Sequence, residues 1–213
     1  MKRKNCVCVV GIGGCGNVLL DKLYACGEQS NVKYLAINTD EHALEKTIVP
    51  NILHIGSNPN GTGAGGSVEA GEVAAQESVH KIKKAIKGCS AVVILAGMGR
   101  GTGTGASPVV AGLTSKRGIP VHSVVTFPFN FEGKLRMQRA ALGIDALSKF
   151  SSVTTVPNQV FPDIIGTKIA LEELFELTDT SILFTVRALI QSLQGKRKSW
   201  LSRLLDQIRN KQK

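Results

Sequence analysis

The chain predicts an α/β fold, a Rossmann-like doubly wound, mostly parallel sheet, and three observations predict it. Short β-branched or apolar runs alternate with helical stretches along nearly the whole chain, the pattern of strands joined by crossover helices. Residues 91–96 form a continuous apolar run, as a parallel strand covered on both faces requires. Glycine clusters fall between strand and helix, where such folds turn over a ligand.

In chain order, Val7-Cys8-Val9-Val10 reads as a first strand ending at Gly11, and residues 18–26 as a helix. Residues 33–38 and 51–55 read as the second and third strands. Good helix formers at helical spacing predict one helix over 69–87, stopped by Gly88. After the apolar strand, a helix is expected over 108–117, with Pro108 in its first turn and Gly118 at its end. A strand over 121–127, a helix over 134–149 and a strand over 153–156 follow. The last long helix is expected over 167–194, broken by Gly195. The partition is one domain, residues 1–195, and a basic tail, residues 196–213.

A chain of 213 residues buries enough apolar surface to fold without staples, and 43% hydrophobic residues with a mean hydropathy of +0.08 suit a packed domain. The low aromatic content, 5%, argues against a stacking surface for single-stranded nucleic acid. Five cysteines without zinc-ligand spacing, and no apolar run of spanning length, lead to the expectation of a reducing cytoplasm. Cys6 and Cys8 read as alternate positions of a buried strand. The net charge of +10 is uneven: the tail holds seven basic residues and one acid, +6, which leaves +4 for the rest.

The first glycine cluster, Gly11-Ile12-Gly13-Gly14-Cys15-Gly16-Asn17, fits the G-x-G-x-x-G spacing that lets backbone approach a phosphate at a helix N-terminus. With Asp40 beyond the second strand, it is compatible with a dinucleotide cofactor, and also with a tight structural turn. Two further clusters, residues 61–66 and 97–105, shift the reading. One cradle suffices for a pyrophosphate, whereas several at one sheet edge suit a nucleoside triphosphate. The P-loop signature is absent from the sequence.

Gly101-Thr102-Gly103-Thr104-Gly105-Ala106-Ser107-Pro108 resembles the GTGTG signature of the FtsZ/tubulin superfamily. Other segments resemble that family's motifs in the same order: Gly13 to Asn17, Ala36-Ile37-Asn38-Thr39-Asp40, Gly63 to Gly66, residues 124–136 with Pro128, Val156-Pro157-Asn158, and residues 174–179. The resemblance covers roughly residues 5–193. It implies GTP or GDP with Mg2+, the phosphates cradled by Gly13, Gly14, Cys15, Gly16 and Asn17, by Ala64, Gly65 and Gly66, and by Gly97, Met98, Gly99, Gly101, Gly103 and Gly105. Thr102 and Thr104 would add hydroxyls or help hold magnesium. Glu132 and Arg136 would meet the ribose, Asn158 and Asp179 would read guanine, and Phe175 would stack on the base.

The sequence departs from the family at Arg100, which replaces a glycine and would either reach a terminal phosphate or point to solvent. An NxDxxD motif, which in the family reaches the neighbouring subunit's nucleotide, is not found after the long helix, so slow or partner-dependent hydrolysis is expected. In the tail, Trp200, Leu201, Leu204, Leu205 and Ile208 fall within an arc of about 140° on a helix. With its basic flank this pattern suits an anionic membrane surface at the inner face of the cell membrane, each cation adding about 1 kcal/mol. The alternatives are docking on its own domain or a second copy, with nucleic acid behind both. The expected function is therefore an FtsZ-like, nucleotide-linked cytoskeletal or membrane-associated protein. The alternative is a non-polymerising GTP-binding regulator that docks on a full-length relative.

Overall fold

The computed structural model describes residues 6–57, 61, 63–165 and 170–195. The tail with Trp200, Leu201, Leu204, Leu205 and Ile208 lies outside the described residues, as does Thr62.

Six strands, β1 (Val7–Ile12), β2 (Val32–Asn38), β3 (Ile52–His54), β4 (Ala91–Gly97), β5 (Val121–Phe127) and β6 (Ser152–Pro157), form one sheet in the order β3-β2-β1-β4-β5-β6. Every pairing is parallel, with Val7 opposite both Val32 and Ala91. The expectation of a mostly parallel, doubly wound sheet is met, and among the described strands the sheet is wholly parallel.

Alternation along β1 sorts its side chains to two cores. Val7 and Val9 face α1 (Gly13–Ala25), α2 (Glu41–Glu45) and α8 (Leu171–Leu193). Cys8, Val10 and Ile12 face α3 (Val68–Glu77), α4 (Val79–Ala85), α5 (Gly101–Ser115) and α6 (Lys134–Ser148). The buried stripe of α8 is Leu174, Thr178, Ile182, Val186 and Ile190, four residues apart, which keeps one helical face on the sheet. Each of its aliphatic side chains contributes about 1.5–3 kcal/mol by leaving water.

Four expectations need correction. The helix expected over 18–26 spans Gly13–Ala25, so Gly13, Gly14 and Gly16 form the first turn of α1 and do not precede it. The helix expected over 69–87 is two helices, α3 and α4, parted at Ser78. Ser78 leaves helical geometry at φ −97°, ψ 13°, and its Oγ accepts from the Gly56 N–H at 2.9 Å, tying the break to the end of the β3 segment. The helix expected to begin at Pro108 begins at Gly101, so Pro108 lies inside α5. The glycines of 101–105 are thus not a loop; they are the first turns of a helix pressed against α3. A Cβ on Gly105 would stand 2.1 Å from the Val68 carbonyl oxygen, and one on Gly101 2.6 Å from that of Ser67. Finally, the 167–194 helix is shorter, spanning Leu171–Leu193, and an unexpected α7 (Val160–Ile165) precedes it.

Candidate functional site

In the strand order 3-2-1-4-5-6 the chain changes direction between β1 and β4, and a crevice opens outside the carboxyl ends there. A cleft of about 950 Å³ occupies this position. The N-termini of α1 and α5 both face it, and their free N–H groups and positive dipole ends favour an anion.

Close contact between these two helix starts depends on small residues. Gly13, at φ +72°, would bring a Cβ within 2.9 Å of Gly103 N, and a Cβ on Gly16 would fall 2.3 Å from the Leu95 carbonyl oxygen. Gly14, Gly65 and Gly66 have a different use. Nothing lies within 4 Å of where their Cβ atoms would be, and all three line the cleft, so a side chain there would fill ligand space.

A polar lattice braces the rim. Asn17 Nδ2 donates to the Gly11 carbonyl oxygen at 2.9 Å, and Asn38 Nδ2 donates to Asn17 Oδ1 at 2.9 Å. Asn38 Oδ1 accepts from Thr39 N at 2.9 Å. The Thr39 and Thr102 hydroxyls lie 2.7 Å apart, joining the β2 end to α5 across the cleft floor. Asp40 caps α2 by accepting from Ala43 N at 3.0 Å.

Of the residues singled out from sequence, Gly13, Gly14, Cys15 and Asp40 line the cleft, as do Ala64, Gly65 and Gly66. So do Gly97, Gly99, Arg100, Gly101, Thr102 and Gly103, and, at the other end, Glu132, Arg136, Asn158 and Phe175. Others stand behind the wall. Asn17 is buried as a brace, Gly16 abuts β4, Met98 belongs to the core, and Gly105 packs on α3. The Thr104 hydroxyl is engaged elsewhere, accepting from Gly99 N at 2.8 Å. Pro128 is buried against Gly99. Asp179 Oδ2 lies 2.5 Å from Lys22 Nζ, between α8 and α1, beside the cleft and not on its lining.

At the far end, Glu132 Oε1 accepts from Phe129 N at 2.9 Å while Oε2 pairs with Arg136. Burial pulls the Arg136 guanidinium below its ordinary range; Glu132 opposes this and nearby Arg100 adds to it. The group stays charged at any physiological pH. Cys15 is exposed on the cleft lining, its Sγ 3.8 Å from the Thr126 hydroxyl. Phe175 is 42% exposed in the cleft and packs edge-to-face on Phe129 at 5.3 Å, which leaves one face of its ring open. Asn158 Oδ1 is buried with no hydrogen-bond partner, an arrangement that calls for a donor from a ligand or water.

The sequence reading passed over Asn38 and Thr39, although both stand in the motif that yielded Asp40. It also passed over Thr126 and Arg139, which line the cleft too. Arg139 lies one turn beyond Arg136 on α6, and that i, i+3 spacing was the available signal. His54 supports the rim through Nε2, 3.1 Å from the Thr39 carbonyl oxygen.

A doubly wound parallel sheet with its cleft at the switch point and glycine turns on both sides defines the α/β domains that hold phosphate-bearing ligands. The chain belongs to the tubulin/FtsZ family: the family model described as "Tubulin/FtsZ family, GTPase domain" matches residues 6–166. It is 39% identical over 182 residues to the cell division protein FtsZ of Mycoplasmopsis pulmonis, covering 85% of this chain and 46% of that protein. Among solved structures it is similar to an empty FtsZ dimer of M. jannaschii, with TM-score 0.83 and 37% identity over 90% of this chain and 56% of that one. The GTPγS-bound protofilament of CetZ2 from Haloferax volcanii shares the fold, with TM-score 0.77 and 23% identity over 89% of this chain and 59% of that one. The chain spans about half the length of these relatives. Among the described residues, no helix is long and apolar enough to cross a membrane.

Proposed function

We propose that the cleft binds a guanine nucleotide, GTP or GDP, and that the protein acts as an FtsZ-like cytoskeletal component whose self-association depends on that nucleotide. The observation that carries this reading is the convergence of three glycine turns on one cleft whose lining also bears Arg100, Arg136 and Arg139. Backbone N–H groups and three guanidiniums suit a polyphosphate. The unpartnered Asn158 Oδ1 would accept from the base, and the open Phe175 face would stack on it. Asp179 would join Asn158 in reading guanine by exchanging its Lys22 partner for the ring N–H and exocyclic amine. Magnesium would sit on the phosphates beside Thr102, where it would neutralise charge.

Hydrolysis by an isolated chain is expected to be slow. The two carboxylates that line the cleft are already engaged, Asp40 as a helix cap and Glu132 with Arg136 and Phe129 N. Water activation would then need a residue from another molecule. The relatives named FtsZ, one of them solved as a dimer, favour self-association in cell division in the cytoplasm. The seven basic residues of 196–213 would add attraction to an anionic membrane face.

The nucleotide released from purified, denatured protein tests the reading. Guanine nucleotide is the expected result, and a nicotinamide cofactor would overturn it. Right-angle light scattering on adding GTP tests assembly; a persistent monomer would instead favour the regulator that docks on a full-length relative.

A further inference from the structure

At the amino edge of the sheet, opposite the cleft, three cysteines meet. Cys6 precedes β1, Cys8 lies within it, and Cys89 precedes β4, the neighbouring strand. Cys8 and Cys89 are buried in one core cluster and the partly exposed Cys6 packs against it. The Cys89 thiol makes side-chain hydrogen bonds with both Cys8 and Cys6. Lys33 stands directly opposite Cys8 on β2, and its Nζ reaches the Ala85 carbonyl oxygen at 2.6 Å, four residues before Cys89. Nothing in the nucleotide reading uses this group.

We propose that Cys6 and Cys89 form a reversible intramolecular disulfide when the protein meets hydrogen peroxide, a redox clasp between the starts of β1 and β4. Ser90 N donates to the Cys6 carbonyl oxygen at 2.8 Å, which keeps the two backbones one strand apart. The register that sets Val7 opposite Ala91 makes Cys89 the diagonal neighbour of Cys6, about 4.8 Å across and about 3.3 Å along the strands, or about 6 Å between Cα atoms, inside the roughly 4.4–6.8 Å that a disulfide bridges. Cys8 is held in mid-strand between β2 and β4, whereas Cys6 lies just ahead of β1, so Cys6 is the thiol with room to turn.

The chemistry balances. The partly exposed Cys6 sulfur attacks one oxygen of the peroxide, the O–O bond breaks, and the departing hydroxide takes the Cys6 proton to leave as water, giving a sulfenic acid on Cys6. The Cys89 thiolate then attacks the Cys6 sulfur, the S–O bond breaks, and the hydroxide takes up the proton that Cys89 had released to leave as a second water. Two thiols are oxidised by two electrons and one peroxide is reduced to two waters. The hydrogen bond from the Cys8 thiol, and next the Lys33 ammonium, hold the Cys89 thiol below its ordinary range against the opposing effect of burial, which supplies the thiolate near neutral pH.

Peptide mapping of the full-length chain by mass spectrometry without reductant, after brief peroxide treatment, tests the clasp. A linked peptide pair joining Cys6 to Cys89, lost on adding dithiothreitol, is expected, together with a higher Tm for the oxidised form. Cys6→Ser is expected to abolish the link, and Lys33→Met to slow its formation severalfold at neutral pH. Cys89 recovered unlinked, joined to Cys8, or joined to a second molecule would overturn the proposal. So would a link that forms equally fast in Lys33→Met.

Discussion

Side chains that differ by a single methyl have opposite consequences at different glycines of this protein, because what surrounds each one differs. At Gly105 a Cβ would collide with the backbone of α3, which cannot move without dragging the α3–α5 pair apart. Gly105→Ala is therefore expected to lower stability by about 3 kcal/mol or more, read by denaturant unfolding. Gly14→Ala meets open space in the folded protein, so stability should be nearly unchanged while nucleotide affinity falls, because the methyl enters the cleft. Arg100 caps no helix with its side chain, and it stands on the cleft lining near Arg136. Arg100→Ala is expected to weaken GTP more than GDP by about tenfold, the worth of one charge-assisted contact to a terminal phosphate, in equilibrium titrations. Equal affinities in variant and parent would place that guanidinium in solvent. At the base end, Asn158→Ala removes the unpartnered Oδ1, and the expected outcome is a narrower gap between GTP and ATP affinities in competition assays.

Elements here stop and start where side chains leave the helical pattern to serve a neighbour. Ser78 divides α3 from α4 because its hydroxyl satisfies Gly56 N–H, a group at the end of the β3 segment. Ser78→Ala leaves that N–H without a partner in a site where Ser78 itself is 3% exposed, so a loss of about 1–3 kcal/mol is expected by thermal unfolding. The start of α5 shows the converse. Glycine has poor helix propensity, yet Gly101, Gly103 and Gly105 are helical because close packing on α3 and β4 outweighs their backbone entropy. The same packing aims the α5 N-terminus at the cleft, so a stability feature of the core also creates the anion-binding end.

Across the whole molecule, polarity along the strands separates two chemistries. The carboxyl edge holds glycine turns, arginines and the cleft proposed for the nucleotide; the amino edge holds the thiols and Lys33. The strands β1 and β4 run between them, from Cys6 and Cys89 at one end to Gly13 and Gly97 at the other. The tail belongs to this scale too, since its charge of +6 exceeds that of all the rest of the chain. Liposome co-sedimentation compares the full chain with residues 1–195. The full chain is expected to pellet with anionic vesicles and the shorter one to remain in solution, and equal pelleting would remove the membrane role.

How much could be read in advance follows from where each signal resides. The succession of strands and helices, the parallel sheet and most of the cleft were legible because alternation of apolar runs with helices, and glycine clusters after strands, are local properties of sequence; the order of strands across the sheet was not. The breaks at Ser78 and before Pro108 were missed because they depend on atoms far along the chain, Gly56 and the α3 backbone, whereas the Thr104 hydroxyl is claimed from only five residues away, by Gly99 N. A helical pattern holds no record of a hydroxyl claimed by another element. The sequence alone determined that glycine-rich segments follow the strands and in what order they occur. Only the tertiary structure decided which of their residues line the cleft and which hold its walls together, because backbone approach and burial are set by partners that folding brings near.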